Sequence, residues 1–269
     1  MDIYTKYYML FCMVCKEKVF IFQEISDCIF SVYPLRCSPV ETAQSEVVCL
    51  VKLHKETVKR YVLFIIGLFF SGLGVAVTKH GELGVSPISS VANVVSLQFP
   101  VFSLGTWLFL WNCVLILGQI LILRKQFKPI QWLQIPLSVL FGWFTDFGMW
   151  LAGFIPTELY PVRLLSVFAG TAILGFGIAL AVIADVIMNS GEAFVKAISD
   201  KTHFAFGNVK IAFDISCVVF ALLLSLLFFG GKIVGMREGT VIAALLTGQT
   251  VKFFQKRLQM PLQKILTKS

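Results

Sequence analysis

The feature that most constrains this chain is a set of long segments without a charged residue. Asp, Glu, Lys and Arg are all absent from residues 83–123, 164–184 and 215–231. A helix needs about 20 consecutive apolar residues to cross the hydrocarbon core of a bilayer. Because no water is available there, the backbone must satisfy its own hydrogen bonds. Several such segments in one chain predict an all-α integral membrane protein.

Composition and charge agree with this fold class. The chain is 57% hydrophobic and 14% charged, whereas a soluble domain is about 25% charged. The net charge of +8 could indicate nucleic-acid binding. However, the basic residues lie between the apolar segments, as the positive-inside rule expects, and form no basic stripe. The lipid bilayer is therefore the expected partner, and nucleic acid is not.

Hydropathy predicts about six transmembrane helices, which cover roughly residues 61–78, 104–123, 132–153, 164–185, 210–229 and 239–254. With the N-terminus in the cytoplasm, fifteen lysines and arginines fall on the cytoplasmic side and four fall outside. This asymmetry predicts that the N-terminus and the C-terminus are both cytoplasmic.

Two short segments look like half-helices rather than spans. In residues 84–98, Ser86 is a suitable N-cap and Pro87 is favoured at the first helical position. Its apolar residues and its polar residues fall on opposite sides, which favours a re-entrant or interfacial helix. In residues 189–200, Asn189 can cap a second helix, and Glu192 follows three residues later as in a capping box.

The two halves of the chain resemble each other in order. Leu104-Gly105 precedes Asn112 by the spacing that separates Phe206-Gly207 from Asp214. Other matches pair Gly81-Glu82 with Gly191-Glu192, Leu140-Phe141-Gly142 with Leu246-Thr247-Gly248, and Asp146-Phe147 with Lys252-Phe253. Each half then contains three spans and one half-helix, so the second half enters the membrane inverted. The sequence predicts a 3+3 inverted repeat, with halves at about 61–153 and 164–254.

The chain divides into a tail, a membrane domain and a second tail. Residues 1–57 lack a segment long enough to span, and Val58-Lys59-Arg60 reads like a natural start. We therefore interpret residues 1–57 as an N-terminal tail that an overextended gene start could have added. Cys12-x-x-Cys15 in this tail has no second cysteine or histidine pair to complete a metal site. Residues 58–256 form the transmembrane domain, and residues 257–269 form a basic cytoplasmic tail.

Polar residues inside the apolar segments are the candidate binding residues. Asp214 lies within the fifth span, where a carboxylate is costly and usually faces a cavity or a partner. A structural salt bridge to Lys210, one turn earlier, is the alternative. The two half-helix starts carry free N–H groups and partial positive charge, so as a pair they could hold an anion; ordinary capped loops are the alternative. The predicted substrate-binding residues are Asp214, Asn112, Ser86, Ser89, Asn93, Asn189, Ser190 and Glu192.

No catalytic constellation, metal motif or cofactor motif stands out in the sequence. The three histidines are scattered, and neither a nucleophile elbow nor a phosphate-binding loop occurs. We therefore expect no enzymatic activity and no cofactor. Glycines within the spans are better explained by close helix packing than by phosphate binding; they are Gly67, Gly72, Gly74, Gly170, Gly175 and Gly177.

The segment GELGVSPISS at residues 81–90 is similar to the signature of the YczE/YyaS/YitT family of bacterial integral membrane proteins. The span before it, Leu104-Gly105 with Asn112, Phe213-Asp214 and residues 237–240 are similar as well. The resemblance covers roughly residues 58–256. It implies a multi-pass protein of the bacterial plasma membrane and adds little on the substrate.

These features lead to two expectations for function. The first is a small secondary transporter or permease for an unknown small molecule or ion, with Asp214, Asn112 and the half-helix starts at its site. The second is a non-transporting membrane scaffold or regulatory factor. A transporter should direct its polar groups inward, whereas a scaffold should offer an apolar or small-residue face to a partner.

Overall fold

The computed structural model describes the backbone of residues 43–267 and the side chains of residues 56–266. The chain divides into two compact units, Met1–Leu50 and Val51–Ser269, and the following description concerns the second. The N-terminal tail up to residue 42 and its Cys-x-x-Cys motif lie outside the described residues. The proposed boundary at residue 57 falls within a helix that begins at Ala43.

The described part of the chain contains eight α-helices and no strand. The first half comprises α1 (Ala43–His80), α2 (Pro87–Gln98), α3 (Leu104–Leu123) and α4 (Gln134–Ala152). The second half comprises α5 (Tyr160–Ala184), α6 (Ser190–Thr202), α7 (Phe206–Phe228) and α8 (Glu238–Thr267). Two short 3₁₀ segments, Arg124–Gln126 and Pro129–Leu133, connect α3 to α4. Each half therefore has a long, a short and two further long helices.

Five helical segments of the described chain are long and apolar enough to cross a membrane: Glu56–His80, Leu104–Gln126, Pro129–Ala152, Tyr160–Ala184 and Phe206–Phe228. They correspond to the first five predicted spans. The sixth predicted span lies in α8, which is not among the five. Its apolar stretch ends at Leu246, and Gln249 and Lys252 follow within the same helix.

Both predicted half-helices are present as separate short helices. Ser86 is the N-cap of α2 and Pro87 follows at its first position, while Asn189 is the N-cap of α6. Left-handed residues end both the second half-helix and the helix before it. Asp185 closes α5 with φ 50°, and His203 closes α6 with φ 59°.

Helices α1 and α5 cross in backbone contact at two pairs of glycines. A Cβ atom on Gly67 would lie 2.8 Å from the carbonyl oxygen of Gly177, and one on Gly74 would lie 2.7 Å from that of Gly170. Gly72 packs in the same way against α4, and Gly175 packs against Thr250 of α8. The predicted packing role of these glycines is confirmed. Helices α1, α4, α5 and α8 are called the first bundle below.

Helices α2, α3, α6 and α7 pack around a separate apolar core and are called the second bundle. The core is formed by buried side chains of all four helices and of the loop before α8. Its buried members are Val91, Val94, Leu115, Val195, Val209, Phe213, Cys217, Ala221 and Met236. This bundle contains both half-helices and every residue of the candidate site that is charged.

One junction between the two bundles joins α3 to α4. Gly105 and Gly142 are buried against each other, so that a Cβ on Gly142 would lie 2.5 Å from the carbonyl oxygen of Gly105. Asp146 of α4 fixes the start of α3. Its Oδ1 accepts a hydrogen bond from the Gly105 N–H at 2.8 Å, and its Oδ2 accepts one from the Ser103 hydroxyl at 2.6 Å. A carboxylate is favourable at this position because a helix N-terminus carries partial positive charge.

Candidate functional site

The first turns of the two half-helices meet. Gly191, the second residue of α6, packs against the side chain of Ile88, the second residue of α2. A Cβ atom on Gly191 would lie 3.0 Å from Ile88 Cδ1. The two segments that the sequence predicts as a pair are therefore brought together.

The start of α6 is held by a buried network of neutral polar groups. Asn189 caps the helix by accepting a hydrogen bond from the Ser190 N–H at 3.0 Å. The Ser190 hydroxyl lies 3.1 Å from that of Ser138 on α4, and the Ser190 carbonyl accepts from the Gln119 amide at 3.0 Å. Gln119 and Gln134 also pair side chain to side chain, at 3.1 and 3.2 Å. These bonds tie α6 to both α3 and α4.

A narrow cleft lies beside this network. It is lined by Gln134, Ser138, Asn189 and Ser190, with Phe64 and Leu68 of α1 on the apolar side. The volume open to the centre of a water-sized molecule is about 10 Å³, which corresponds to about one water. In this conformation the cleft is too small for an organic solute.

The start of α2 is polar and is mostly satisfied within itself. The Ser86 hydroxyl donates to Ser89 at 2.9 Å, so it does not cap a backbone N–H. Asn93, which is 1% exposed, donates from Nδ2 to the Gly235 carbonyl at 2.7 Å. Its Oδ1 is buried and has no hydrogen-bond partner among the described residues. Asn93 thus anchors α2 to the loop before α8 and retains one unused acceptor.

A charged cluster links α6 to α7. Lys210 Nζ lies 2.6 Å from Asp214 Oδ1, one helical turn apart, and each side chain is 27% exposed. Glu192, which is half-buried on α6, interacts electrostatically with both. Burial raises the pKa of Glu192 above its ordinary value; Lys210 opposes this shift and Asp214 adds to it. The cluster therefore contains one basic and two acidic groups, and full ionisation would leave it with one excess negative charge.

The structure brings part of the predicted site together. Ser86 and Ser89 lie in the first turn of α2, Asn189, Ser190 and Glu192 lie at the start of α6, and Asp214 joins Glu192 through the charged cluster. Asn93 and Asn112 are buried elsewhere in the second bundle, Asn93 toward the loop before α8 and Asn112 at 5% exposure on α3. None of these placements tests ligand binding, so the binding roles remain predictions.

The Lys210–Asp214 salt bridge, which was the alternative explanation of Asp214, is present. One detail differs from the predicted capping box: Asn189 accepts a hydrogen bond from the N–H of Ser190 rather than from that of Glu192. Gln119, Gln134 and Ser138 were not predicted as site residues. Their polarity within otherwise apolar spans is the signal that could have revealed them, because buried amides require partners.

The fold and the site define a class of protein: an all-helical protein with five helices long and apolar enough to span a membrane and two short helices whose first turns meet. The chain belongs to a family of unknown function (DUF6198), which matches residues 58–256. This match covers the region that is similar to the YczE/YyaS/YitT proteins, but it does not confirm membership of that particular family. No curated protein and no solved structure is significantly similar to the chain.

Proposed function

We propose that the protein is a small secondary transporter of the bacterial plasma membrane and that the Glu192–Lys210–Asp214 cluster binds the transported or coupling cation, which could be a proton. The observation that carries this proposal is the cluster itself. Lys210 is paired with Asp214, and the half-buried carboxyl group of Glu192 lies near enough to interact electrostatically with both. Ionisable side chains within a membrane-spanning segment are costly and typically mark ion or substrate pathways.

An inverted repeat would explain the arrangement of the helices. Gly67, Gly74 and Ser86 precede Gly170, Gly177 and Asn189 by the same 103 residues. The contact of Gly67 with Gly177 and the contact of Gly74 with Gly170 are then related by the pseudo-symmetry of the repeat. The contact of Ile88 with Gly191 would lie on the pseudo-two-fold axis, since these residues are also 103 apart. Inverted repeats with broken helices at their interface are typical of secondary transporters.

Aligning the two halves of the chain by the starts of their helices contradicts one of the matches made from the sequence. Gly81-Glu82 lies in the turn before α2, whereas Gly191-Glu192 lies in the first turn of α6. That match is wrong, and the two N-caps, Ser86 and Asn189, are the equivalent positions. In this alignment α8 is the counterpart of α4, and we propose it as the sixth span, with both termini cytoplasmic.

A non-transporting membrane scaffold is the second candidate. The closed Lys210–Asp214 ion pair favours it, and so does the cleft with room for about one water. A scaffold would need no ligand, and its charged cluster would serve packing alone.

A thermal-shift screen separates the two candidates. Purified protein is heated with a series of small organic and inorganic cations at varied pH, and the Asp214→Asn variant is treated in the same way. A series of anions with a common counterion is the control. Because a ligand that binds the folded state raises its apparent stability, we expect one class of cations to stabilise the wild type and not Asp214→Asn. Uptake of that cation into proteoliposomes follows. Equal stabilisation of both proteins, or none of either, would overturn the proposed site and favour the scaffold.

A further inference from the structure

The two halves of the molecule differ at one interface. In the first half, α3 packs on α4 through the buried Gly105 and Gly142. The matching residues of the second half, by the spacing of the repeat, are Gly207 of α7 and Gly248 of α8. Both are exposed, and no described atom lies within 4 Å of a Cβ atom built on either. The α7–α8 interface is therefore open where its counterpart is closed.

The remaining packing is shared between the halves. The contact of α1 with α4 has its counterpart in α5 with α8, and the contact of α2 with α7 has its counterpart in α6 with α3. The second bundle contacts the first bundle through α3 on α4, through Ser190 of α6 on Ser138 of α4, and through Ala92, Leu104 and Leu108 in a core shared with α1. A rotation of the second bundle would exchange the α3–α4 junction for an α7–α8 junction without breaking the contacts inside either bundle.

We infer that the structure is one of two conformations, and that in the other α7 closes on α8 through Gly207 and Gly248 while α3 separates from α4. This inference rests on the proposed inverted repeat. Glycines at both positions permit the close approach, because side chains there would hold the helices apart. It is the exchange that alternating access requires of two repeats.

The ends of the helices explain why this conformation is the favoured one. Asp146 holds the start of α3 with two hydrogen bonds. Its counterpart is Lys252, which would meet the start of α7 beside Ala205, the counterpart of Ser103. An ammonium group is unfavourable at a helix N-terminus, whereas a carboxylate is favourable. Asp146 therefore stabilises the contact of α3 with α4, and the second half has no equivalent carboxylate to stabilise a contact of α7 with α8.

The exchange would also cover and uncover the charged cluster. Asp214 lies seven residues after Gly207, which is about two helical turns and so the same face of α7. In this conformation its side chain is 27% exposed. Asn112 has the same place on α3 relative to Gly105 and is only 5% exposed. Closure of α7 on α8 would bury Asp214 as Asn112 is buried now.

Disulfide formation between paired cysteines tests the second conformation. The test variant is Ala205→Cys with Lys252→Cys, both at exposed positions. The matched control is Ser103→Cys with Asp146→Cys, at positions whose side chains touch in this structure. A disulfide needs Cα atoms within about 7 Å, and mass spectrometry of the linked peptide distinguishes it from bonds of the native cysteines.

We expect oxidation to link both pairs, the 205–252 pair more slowly. Adding Asp146→Asn to the 205–252 variant should speed that linkage about fivefold, because it weakens charge-assisted hydrogen bonds. If the 103–146 pair links while the 205–252 pair does not, with or without Asp146→Asn, the inference is wrong. The assay needs no substrate, so linkage of both pairs in a protein without cation binding would reject the proposed function and leave the inference standing.

Discussion

Lys210→Met is expected to destabilise the protein by about 2 kcal/mol, more than either carboxylate substitution in the same cluster. An exposed ion pair at this helical spacing would contribute only about 0.3–0.5 kcal/mol. Here both partners are 27% exposed, and Glu192 lies close enough to interact with both. Without the ammonium group, the repulsion between the half-buried carboxylates of Glu192 and Asp214 would no longer be offset. The free energy of unfolding in mixed micelles is the quantity to measure.

Two comparisons make this expectation specific. Asp214→Asn leaves Lys210 beside Glu192, so its cost should be smaller, and Asp214→Asn together with Lys210→Met should recover part of the loss. Lys252→Met, at an exposed lysine, controls for the loss of a positive charge in general. If Lys210→Met were as stable as Lys252→Met, the cluster would be an ordinary solvated surface group.

Gly177→Ala is expected to destabilise the protein by about 2 kcal/mol through overpacking. Its added Cβ would lie 2.4 Å from the backbone nitrogen of Ser71 and 2.6 Å from the carbonyl oxygen of Gly67. Since both atoms belong to the backbone of α1, no side-chain rotation relieves the clash, and α1 must move away from α5. Gly74→Ala, with a Cβ 2.3 Å from the Leu174 nitrogen, should behave in the same way.

Gly248→Ala provides the matched control for these substitutions. It also lies within a helix, but nothing described lies within 4 Å of the new Cβ. Because alanine is a better helix former than glycine, we expect the free energy of unfolding to be unchanged or to rise by up to about 1 kcal/mol. A loss for Gly248→Ala equal to that for Gly177→Ala would mean that helix packing at the α1–α5 crossing is not the cause.

Much of the fold follows from local features of the sequence. The uncharged segments predict the first five spans because each is long enough for a helix, which satisfies its own backbone hydrogen bonds in lipid. Ser86 before Pro87 and Asn189 before Ser190 place the half-helix starts to the residue, since N-cap and first-turn preferences are local. The Lys210–Asp214 pair is predictable for the same reason, as one helical turn separates the residues.

Features that depend on tertiary packing could not be predicted from local sequence features. Glu192 fits a capping box locally, but burial beside α7 places it in the charged cluster instead. The match of Gly81-Glu82 with Gly191-Glu192 fails because a dipeptide says little about where a helix begins. Gly207 and Gly248 do not reveal that the α7–α8 interface is open, since a closed interface would also have glycines there. The difference that bears on it in the sequence is Asp146 in the first half against Lys252 in the second.

The most direct test of the account is the sidedness of four exposed positions, two that flank α4 and two that flank the proposed sixth span at about 239–254 of α8. Single cysteines replace Lys125, Glu158, Lys232 and Met260, and a membrane-impermeant maleimide is applied to intact and to permeabilised cells. An inverted repeat with six spans predicts that positions 158 and 232 label in intact cells, whereas positions 125 and 260 label only after permeabilisation. Labelling of positions 232 and 260 from the same side would show that α8 does not cross the membrane, and would contradict the repeat and the transport mechanism built on it.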